Sequence, residues 1–345
     1  MIISRELINP NIVINGISYE KMCHRINKFK HMYLDRGMKQ HDSISVTTLN
    51  CPNDYYAALF AAWELGFKVI TCSDRILKTR EDAKHMLDAV KYMITIHSKW
   101  FRGYQEFCVH DLNKPLDPNN SGGLTRMDLK DGLYGEIVKL YSHWEKEQGK
   151  NNVMLMDDVA PYPGTPIQPW EVSENSYAVA SLDPCMEVKE VDEWWHPDYF
   201  THKQIIESAK QFSFPYKNCA MSRTIHHNRC IDYYFLPALM NCEEIFDITL
   251  MDHTERPEEA FIYEYVTDYA VKAVRKHEIE RILFPDPESL EFFKSKLTEP
   301  FTHEVLYNVG KQEISSKTKV IDAVSYTHLR AHETSLHLVC RLLLE

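Results

Sequence analysis

Apolar residues along this chain follow two alternating patterns. Short apolar runs, typical of buried strands, alternate with longer segments in which apolar residues recur at helical spacing. The first helix is predicted from Tyr19 to Arg36, with Ser18 as its N-cap and Gly37 at its end. The same patterns predict strands at 43–48, 67–71, 92–96, 153–156, 177–181, 219–222, 245–250, 282–284 and 304–308, and helices at 53–65, 80–91, 132–147, 201–212, 231–241, 257–277 and 287–297. This alternation, with few hairpin signals, indicates an α/β protein with parallel sheets.

The segment from Tyr177 to Phe212 is a candidate phosphate-binding region, because a predicted strand, a long loop and a helix follow one another there. In α/β proteins a loop between a strand and a helix often holds a phosphate through backbone N–H groups. Here the loop, residues 182–199, has no glycine and carries six acidic residues against one lysine. A polyphosphate would therefore need a bridging metal ion at this place. Trp194 and Trp195 in the loop could stack on an adenine or on a partner peptide, or could simply cover the cleft.

Composition narrows the classes of partner. The chain of 345 residues has a formal net charge of −11 and no basic block, which argues against nucleic acid as the main partner because phosphate contacts need clustered lysine and arginine. Nine cysteines without a C-x-x-C pair, and an N-terminus without a signal-peptide pattern, predict a cytoplasmic protein. No apolar run approaches the roughly 20 residues that span a bilayer, so no membrane span is expected.

The last stretch, 324–345, resembles a translated sequencing adapter. The two constant parts of such an adapter would encode Ser325–Thr334 and Leu338–Glu345 in a single reading frame. The three histidines of this tail therefore carry no functional information. We expect the genuine sequence to stop near Ala323, with its true C-terminus missing.

Two parts of the chain resemble the adenylate-forming superfamily, which includes the acyl-CoA synthetases and other AMP-dependent synthetases and ligases. Gly37–Ile44 is similar to that family's motif G-x-x-x-G-D-x-V, and Asn50–Gly66 is similar to N-x-P-x-x-x-x-A-x-x-A-x-x-x-x-G-A. Over residues 218–297 the order of strands, apolar helix and proline-containing turn is similar again, with His226 where the family has the histidine of P-x-x-H. The resemblance covers most of residues 19–322.

This resemblance implies the N-terminal domain of the adenylate-forming fold, with two helix-flanked sheets in a layered αβαβα arrangement and no C-terminal lid. It divides the chain into a first α/β subdomain of the AMP-binding region at 1–176, a second and incomplete subdomain at 177–323, and the tail at 324–345. It also implies ATP and Mg²⁺ as cofactors, CoA as a possible acceptor and a small-molecule carboxylic acid as substrate.

The same resemblance implies where the site residues lie. The family's phosphate loop would fall between Tyr177 and Thr201, which makes Ser181, Thr201 and Lys203 the phosphate-region candidates and His226 the substrate-pocket candidate. From the residues alone, Lys203 could equally be a solvated lysine in the first turn of a helix. His226 could be a turn histidine or, with the cysteines near it, a zinc ligand. No catalytic residue and no metal site are predicted.

The family's glycine-rich phosphate loop has no counterpart in the segment where it is expected, and two functions stay open. The first is an acid–thiol ligase that uses ATP to convert a carboxylic acid into its acyl-adenylate and then transfers the acyl group to CoA. The second is a noncatalytic homologue whose former pocket binds a small acid or a protein partner.

Overall fold

The computed structural model describes residues 1–46, 52–72, 91–95, 152–182, 198–212, 215–221, 231–247, 271–284, 287–309 and 312–316. These residues form two β-sheets with helices packed on them, which confirms the predicted α/β class. The strands are β1 Val13–Ile14, β2 Ile17–Ser18, β3 Ser43–Val46, β4 Lys68–Cys72, β5 Tyr92–Thr95, β6 Val153–Leu155, β7 Tyr177–Leu182, β8 Asp198–Thr201, β9 Asn218–Met221, β10 Glu244–Asp247, β11 Arg281–Phe284, β12 Leu306–Val309 and β13 Gln312–Ser315. The α-helices are α1 Tyr19–Asp35, α2 Pro52–Glu64, α3 His202–Gln211, α4 Leu236–Asn241 and α5 Pro287–Ser295, and residues 271–276 are also helical.

The first sheet has six strands in the order β6-β5-β3-β4-β7-β8. Its first five strands are parallel, and only the edge strand β8 runs antiparallel to its neighbour. From β3 the chain goes to β4 on one side and then returns past β3 to β5 on the other side. The sheet is therefore doubly wound, and the direction of winding reverses between β3 and β5.

The second sheet has seven strands in the order β13-β12-β11-β9-β10-β1-β2, and its centre repeats the same plan. From β9 the chain goes to β10 on one side and then to β11 on the other, and these strands are parallel. Two antiparallel strands, β2 and β13, close the edges. The second reversal of winding therefore lies between β9 and β11.

Helix α1 forms where its sequence pattern predicts it. The hydroxyl of Ser18 accepts a hydrogen bond from the backbone N–H of Lys21 and so caps the helix. After its end, Gly37 has a φ of 72°, in the left-handed region that glycine adopts at little cost. The face that carries Met22, Ile26 and Phe29 is buried.

From Tyr55 to Trp63 every residue of helix α2 is apolar and buried, as expected for a helix inside a layered fold. The ring of its Tyr56 stacks on Phe235 at a centroid distance of 5.0 Å, and the indole N–H of Trp63 donates to the carbonyl of Ala178 at 3.1 Å. Both sheets and the helices between them share one hydrophobic core, and the helices on the outer face of the seven-stranded sheet pack in a second one.

A buried charged cluster ties the N-terminal segment to α1 and α2. The carboxylate of Glu64 accepts hydrogen bonds from the Arg5 guanidinium at 2.6 and 2.7 Å and from the Lys30 ammonium at 2.8 Å. Lys30 and Glu64 are completely buried, and Lys30 also donates to the carbonyl of Ile167 at 2.7 Å. Asn27 accepts a further bond from Arg5. Although burial opposes ionisation, the Arg5 hydrogen bonds hold the pKa of Glu64 below its usual value.

The structure differs from the predicted chain order at two places. The loop at 182–199 was expected to lead directly into a helix, but the chain first forms β8 and only then α3, so this expectation is wrong. The predicted helix at 231–241 begins as a π-helix over Ile231–Phe235 before α4. The described residues do not include the predicted helix at 132–147, the adapter-like tail, most of the predicted helix at 257–277, or the predicted helix at 80–91 except its last residue.

The predicted division at 176/177 stays a prediction, and the sheets themselves cross it. Strands β7 and β8 follow that boundary and complete the six-stranded sheet, whereas β1 and β2, near the N-terminus, complete the seven-stranded one. Each sheet therefore takes strands from both sides of the predicted division.

Candidate functional site

The topology selects two places where a ligand can bind. In doubly wound sheets, ligands bind outside the carboxyl ends of the strands at the point where the winding reverses. In the six-stranded sheet this point is beyond Val46 and Thr95, where β3 and β5 end. In the seven-stranded sheet it is beyond Met221 and Phe284, where β9 and β11 end. We call these two places the β3/β5 edge and the β9/β11 edge.

A buried hydroxyl lies next to the β3/β5 edge. Ser45 is the penultimate residue of β3 and is 1% exposed. Its Oγ atom has no hydrogen-bond partner among the described residues. Burying a hydroxyl without a partner costs free energy, so a polar partner for Ser45 is expected from a bound molecule or from the residues that follow the strand.

A carboxylate oxygen is in the same situation near the β9/β11 edge. Asp232 lies in the first turn of the π-helix that follows β9, and a helix that follows a parallel strand begins near the carboxyl end of that strand. Its Oδ2 accepts a hydrogen bond from the Ser208 hydroxyl at 2.7 Å, which fixes the side chain. Its Oδ1 is buried and has no partner among the described residues. Neither Ser45 nor Asp232 belongs to a recognisable sequence motif, so sequence reasoning missed both residues.

The predicted pocket residue His226 belongs to the connection between β9 and the π-helix, which lies outside the described residues. In the chain order this connection follows directly after Met221, the last residue of β9. His226 therefore stays a prediction, at a position in the chain order where α/β proteins bind ligands.

The phosphate-region candidates lie on the β7–β8 hairpin, at opposite ends. Ser181 pairs with Asp198 at the end that leads into the acidic loop, whereas Thr201 pairs with Tyr177 at the other end. Ser181 lies four residue steps along the strand from Tyr177, which corresponds to about 13 Å. The structure therefore does not bring Ser181 together with Thr201 and Lys203.

Thr201 and Lys203 have local partners at their end of the hairpin. Thr201 caps α3: its hydroxyl accepts from the backbone N–H of Gln204 at 3.2 Å, and the Gln204 side chain accepts from the Thr201 N–H at 2.9 Å. The half-exposed Lys203 ammonium lies 4.0 Å from the carboxylates of Glu174 and Glu207. These contacts match the alternative of a solvated lysine in a first helical turn, and the phosphate role of both residues stays a prediction.

His202 is a further functional type of residue that sequence analysis did not select. It lies on the apolar face of α3 and is completely buried, with Nδ1 accepting a hydrogen bond from the Ile3 N–H at 3.1 Å. Burial lowers the pKa of His202 to about 4, and the α-amino group of Met1 acts in the same direction. The neutral ring therefore carries its proton on Nε2, which has no partner among the described residues. Its position, three and four residues before Ile205 and Ile206, was the signal available in the sequence.

The described ranges contain neither a candidate metal site nor a candidate membrane-spanning helix. No group of three or more histidine, cysteine, aspartate or glutamate side chains is close enough there to hold a metal ion. In the same ranges no helix is both long and apolar enough to cross a membrane.

Comparison with known proteins relates this geometry to a fold. No protein-family profile matches the sequence, and no curated protein matches it significantly. Solved structures do match. The amide bond synthetase McbA from Marinactinospora thermotolerans gives a TM-score of 0.55 at 9% identity, over 85% of this chain and 49% of that one. The O-succinylbenzoate coenzyme A synthetase MenE from Bacillus subtilis gives 0.51 at 8% identity, over 87% and 52%. The N-terminal domain of FACL13 from Mycobacterium tuberculosis gives 0.52 at 11%, over 85% and 68%.

These identities are low, so the likeness concerns the fold. The chain spans about half the length of the synthetases that it matches, and it matches them over more than four fifths of its own length. An adenylation domain bound to a keto acyl adenylate, from a keto acid-selecting module, also has this architecture, with a TM-score of 0.50. The chain has the fold of the adenylate-forming enzymes, in a divergent form.

Proposed function

We propose that this chain binds ATP and a small carboxylic acid and joins them as an acyl-adenylate, in the manner of an AMP-dependent synthetase or ligase. The observation that carries the proposal is a pair of buried polar atoms, Ser45 Oγ near one ligand-binding edge and Asp232 Oδ1 near the other, that have no hydrogen-bond partner among the described residues. The likeness of the fold to acyl-CoA and amide synthetases supports the choice of chemistry. Transfer of the acyl group to CoA is the second step of this proposal.

The two polar side chains suit complementary roles. The Ser45 hydroxyl can donate a hydrogen bond to an oxygen of the nucleotide. Asp232, held by Ser208, can accept a hydrogen bond from a hydroxyl or amine of a ligand. ATP would supply the α-phosphorus that the carboxylate oxygen attacks, with pyrophosphate as the leaving group. The residues of this chain then bind and orient the two reactants, which is the larger part of such catalysis.

The negative charge near the β7–β8 hairpin implies that the proposed reaction requires a cation. The ten residues of β7 and β8 include no lysine or arginine, and the intervening loop is acidic. A triphosphate bound here would need a cation to offset these charges, and the loop carboxylates would suit Mg²⁺, which prefers oxygen ligands. We therefore expect an absolute Mg²⁺ requirement.

The test is the exchange of pyrophosphate into ATP in the presence of a panel of aromatic, short-chain and long-chain carboxylic acids. The proposal expects exchange that depends on one class of acid and on Mg²⁺. Ser45→Ala is expected to reduce this exchange by about tenfold, the loss of one buried hydrogen bond. Ser43→Ala is the matched control, because Ser43 lies at the amino end of the same strand, where its hydroxyl accepts from the Lys91 N–H.

A noncatalytic function is the second candidate, and one observation favours it. The only lysine among the phosphate-region candidates, Lys203, lies beside Glu174 at the end of the hairpin remote from the acidic loop. If no acid in the panel supports exchange, while one of them raises the thermal unfolding midpoint of the protein, the chain binds an acid without activating it. Exchange at the same level in the Ser45→Ala and native proteins would exclude the role assigned to Ser45.

A further inference from the structure

Two buried thiols face each other inside the seven-stranded sheet. The sulfur atoms of Cys219 and Cys242 are 3.2 Å apart, and both side chains are completely buried. Cys219 belongs to β9 and points into the core between the sheets, and Cys242 ends α4 just before β10. The two sulfurs come from chain positions that only the parallel pairing of β9 and β10 brings together.

The backbone on both sides of this pair is fixed. The N–H of Cys242 donates to the carbonyl of Ala238 at 2.8 Å, and its carbonyl accepts from the side chain of Asn9 at 2.8 Å. Cys219 is held in register between Ile245 of β10 and Arg281 of β11. A disulfide needs a sulfur–sulfur distance of about 2.05 Å. The sulfurs therefore have to approach by only about 1 Å, which small side-chain rotations supply without a change of register.

The surroundings of Cys219 set the rate at which it reacts. Burial raises the pKa of Cys219 well above its ordinary value, and the neighbouring Cys242 thiol acts in the same direction. Arg281, which is nearly buried against the rings of Tyr216 and Tyr234, opposes this shift through its positive charge. The thiols are thus slow to react, but a thiolate formed during a local opening has a cation beside it and a second thiol within contact distance.

We propose that Cys219 and Cys242 form a redox-active pair that closes reversibly into an intramolecular disulfide. The oxidant is a small disulfide such as oxidised glutathione. The thiolate of one cysteine attacks it and releases one glutathione thiolate, and the second cysteine then attacks the mixed disulfide and releases another. The two protons of the cysteines end on the two reduced glutathione molecules, so atoms and electrons balance.

The disulfide would close a loop that contains the whole connection between β9 and the π-helix. This loop includes His226 and the Asp232 carboxylate, so oxidation restrains the chain around the β9/β11 edge. Its formation also restricts the unfolded chain. We expect the thermal unfolding midpoint of the oxidised protein to rise by about 5 °C.

The experiment is incubation of the full chain with excess oxidised glutathione until its mass is constant, followed by alkylation, trypsin digestion and peptide mapping. One sample is native and one is kept in urea just below the unfolding transition, where local opening is faster. The expected product links the tryptic peptide 218–223 to the peptide 230–272, because trypsin does not cleave between Arg256 and Pro257, and dithiothreitol removes the link. Since Cys230 shares the second peptide, Cys230→Ser is the control that must retain the link, whereas Cys219→Ser and Cys242→Ser must lose it.

The outcomes are separable. The proposal is supported if the Cys230→Ser variant still yields the linked peptides and if its oxidised form has a higher unfolding midpoint than its reduced form. Alkylated Cys219 and Cys242 in both samples, or separate glutathione adducts on them at constant mass, overturn the proposal and leave only a contact between two thiols. Loss of the link in Cys230→Ser assigns it to another pair and overturns the proposal equally.

Discussion

The charged cluster around Glu64 gives the sharpest test of the fold energetics. Replacing Glu64 by leucine removes the carboxylate that accepts from both Arg5 and Lys30. Lys30 is then a completely buried ammonium whose remaining acceptor is the carbonyl of Ile167. An unpaired buried charge costs roughly 3–5 kcal/mol. We expect Glu64→Leu to lower the free energy of unfolding at pH 7 by this amount.

The comparison is a variant in which all three charges are removed together, Arg5→Leu, Lys30→Met and Glu64→Leu. The free-energy cost of desolvating the three groups is about as large as the stabilisation from their mutual attraction. Replacing the entire cluster by apolar side chains therefore often leaves the free energy of unfolding unchanged. The triple variant should therefore be more stable than the single one. Urea unfolding followed by tryptophan fluorescence measures both values.

The pH dependence of the single variant follows from Lys30. Burial lowers the pKa of Lys30, and loss of Glu64 removes the groups that oppose this shift. A base whose folded-state pKa is lowered destabilises the fold below its unfolded pKa, and this penalty shrinks as the pH rises. The stability deficit of Glu64→Leu should thus decrease between pH 7 and pH 10. A deficit below about 1 kcal/mol at pH 7, or a triple variant less stable than the single one, would refute the reasoning.

Three further predictions concern the hairpin and α3. The pKa of His202 is lowered to about 4 in the folded protein, whereas an ordinary histidine has a pKa of about 6.5. The unfolded chain therefore takes up a proton first as the pH falls, and this destabilises the fold. Between pH 7 and pH 5 the native protein should lose about 2 kcal/mol more stability in urea unfolding than His202→Gln does. Thr201→Ala removes the side-chain half of the α3 capping box and should cost about 1 kcal/mol in the same assay, whereas Thr201→Ser should restore most of it. Lys203→Gln should change the affinity for Mg-ATP by less than about twofold. Its exposed ion pairs at 4.0 Å contribute little, and Lys203 lies at the end of the hairpin remote from the acidic loop. A larger loss of affinity would support the phosphate role predicted from the sequence.

Hydrophobic periodicity predicted the long elements and missed the short ones. α1 and α2 carry apolar residues over several turns, and both were predicted within one residue at each end. β1 and β2 have two residues each, too few for any period to be visible. β8 was missed because its start lies within an acidic stretch, and it exists through pairing with β7 rather than through its own pattern. Pairing of distant segments is a tertiary property that a local pattern does not contain.

The polar atoms of the candidate site depend even more on tertiary structure. Ser45 alternates with Ile44 and Val46 and so resembled the solvent-facing residue of a half-buried strand, yet both faces of β3 are buried and its hydroxyl with them. The spacing of His202 from Ile205 and Ile206 places it on the apolar face of α3, but its contact with the N–H of Ile3 joins distant parts of the chain and is not contained in any local pattern. In contrast, the placement of His226 in the connection after β9 follows from the order of elements, which the sequence does predict.

Binding of ATP measured by calorimetry, with and without Mg²⁺, tests the central claim most directly. The account predicts Mg²⁺-dependent binding at one site per chain, weakened in Ser45→Ala and unchanged in Ser43→Ala. No detectable binding in the presence of Mg²⁺, by protein whose cooperative unfolding shows that it is folded, would contradict the proposed adenylate-forming function.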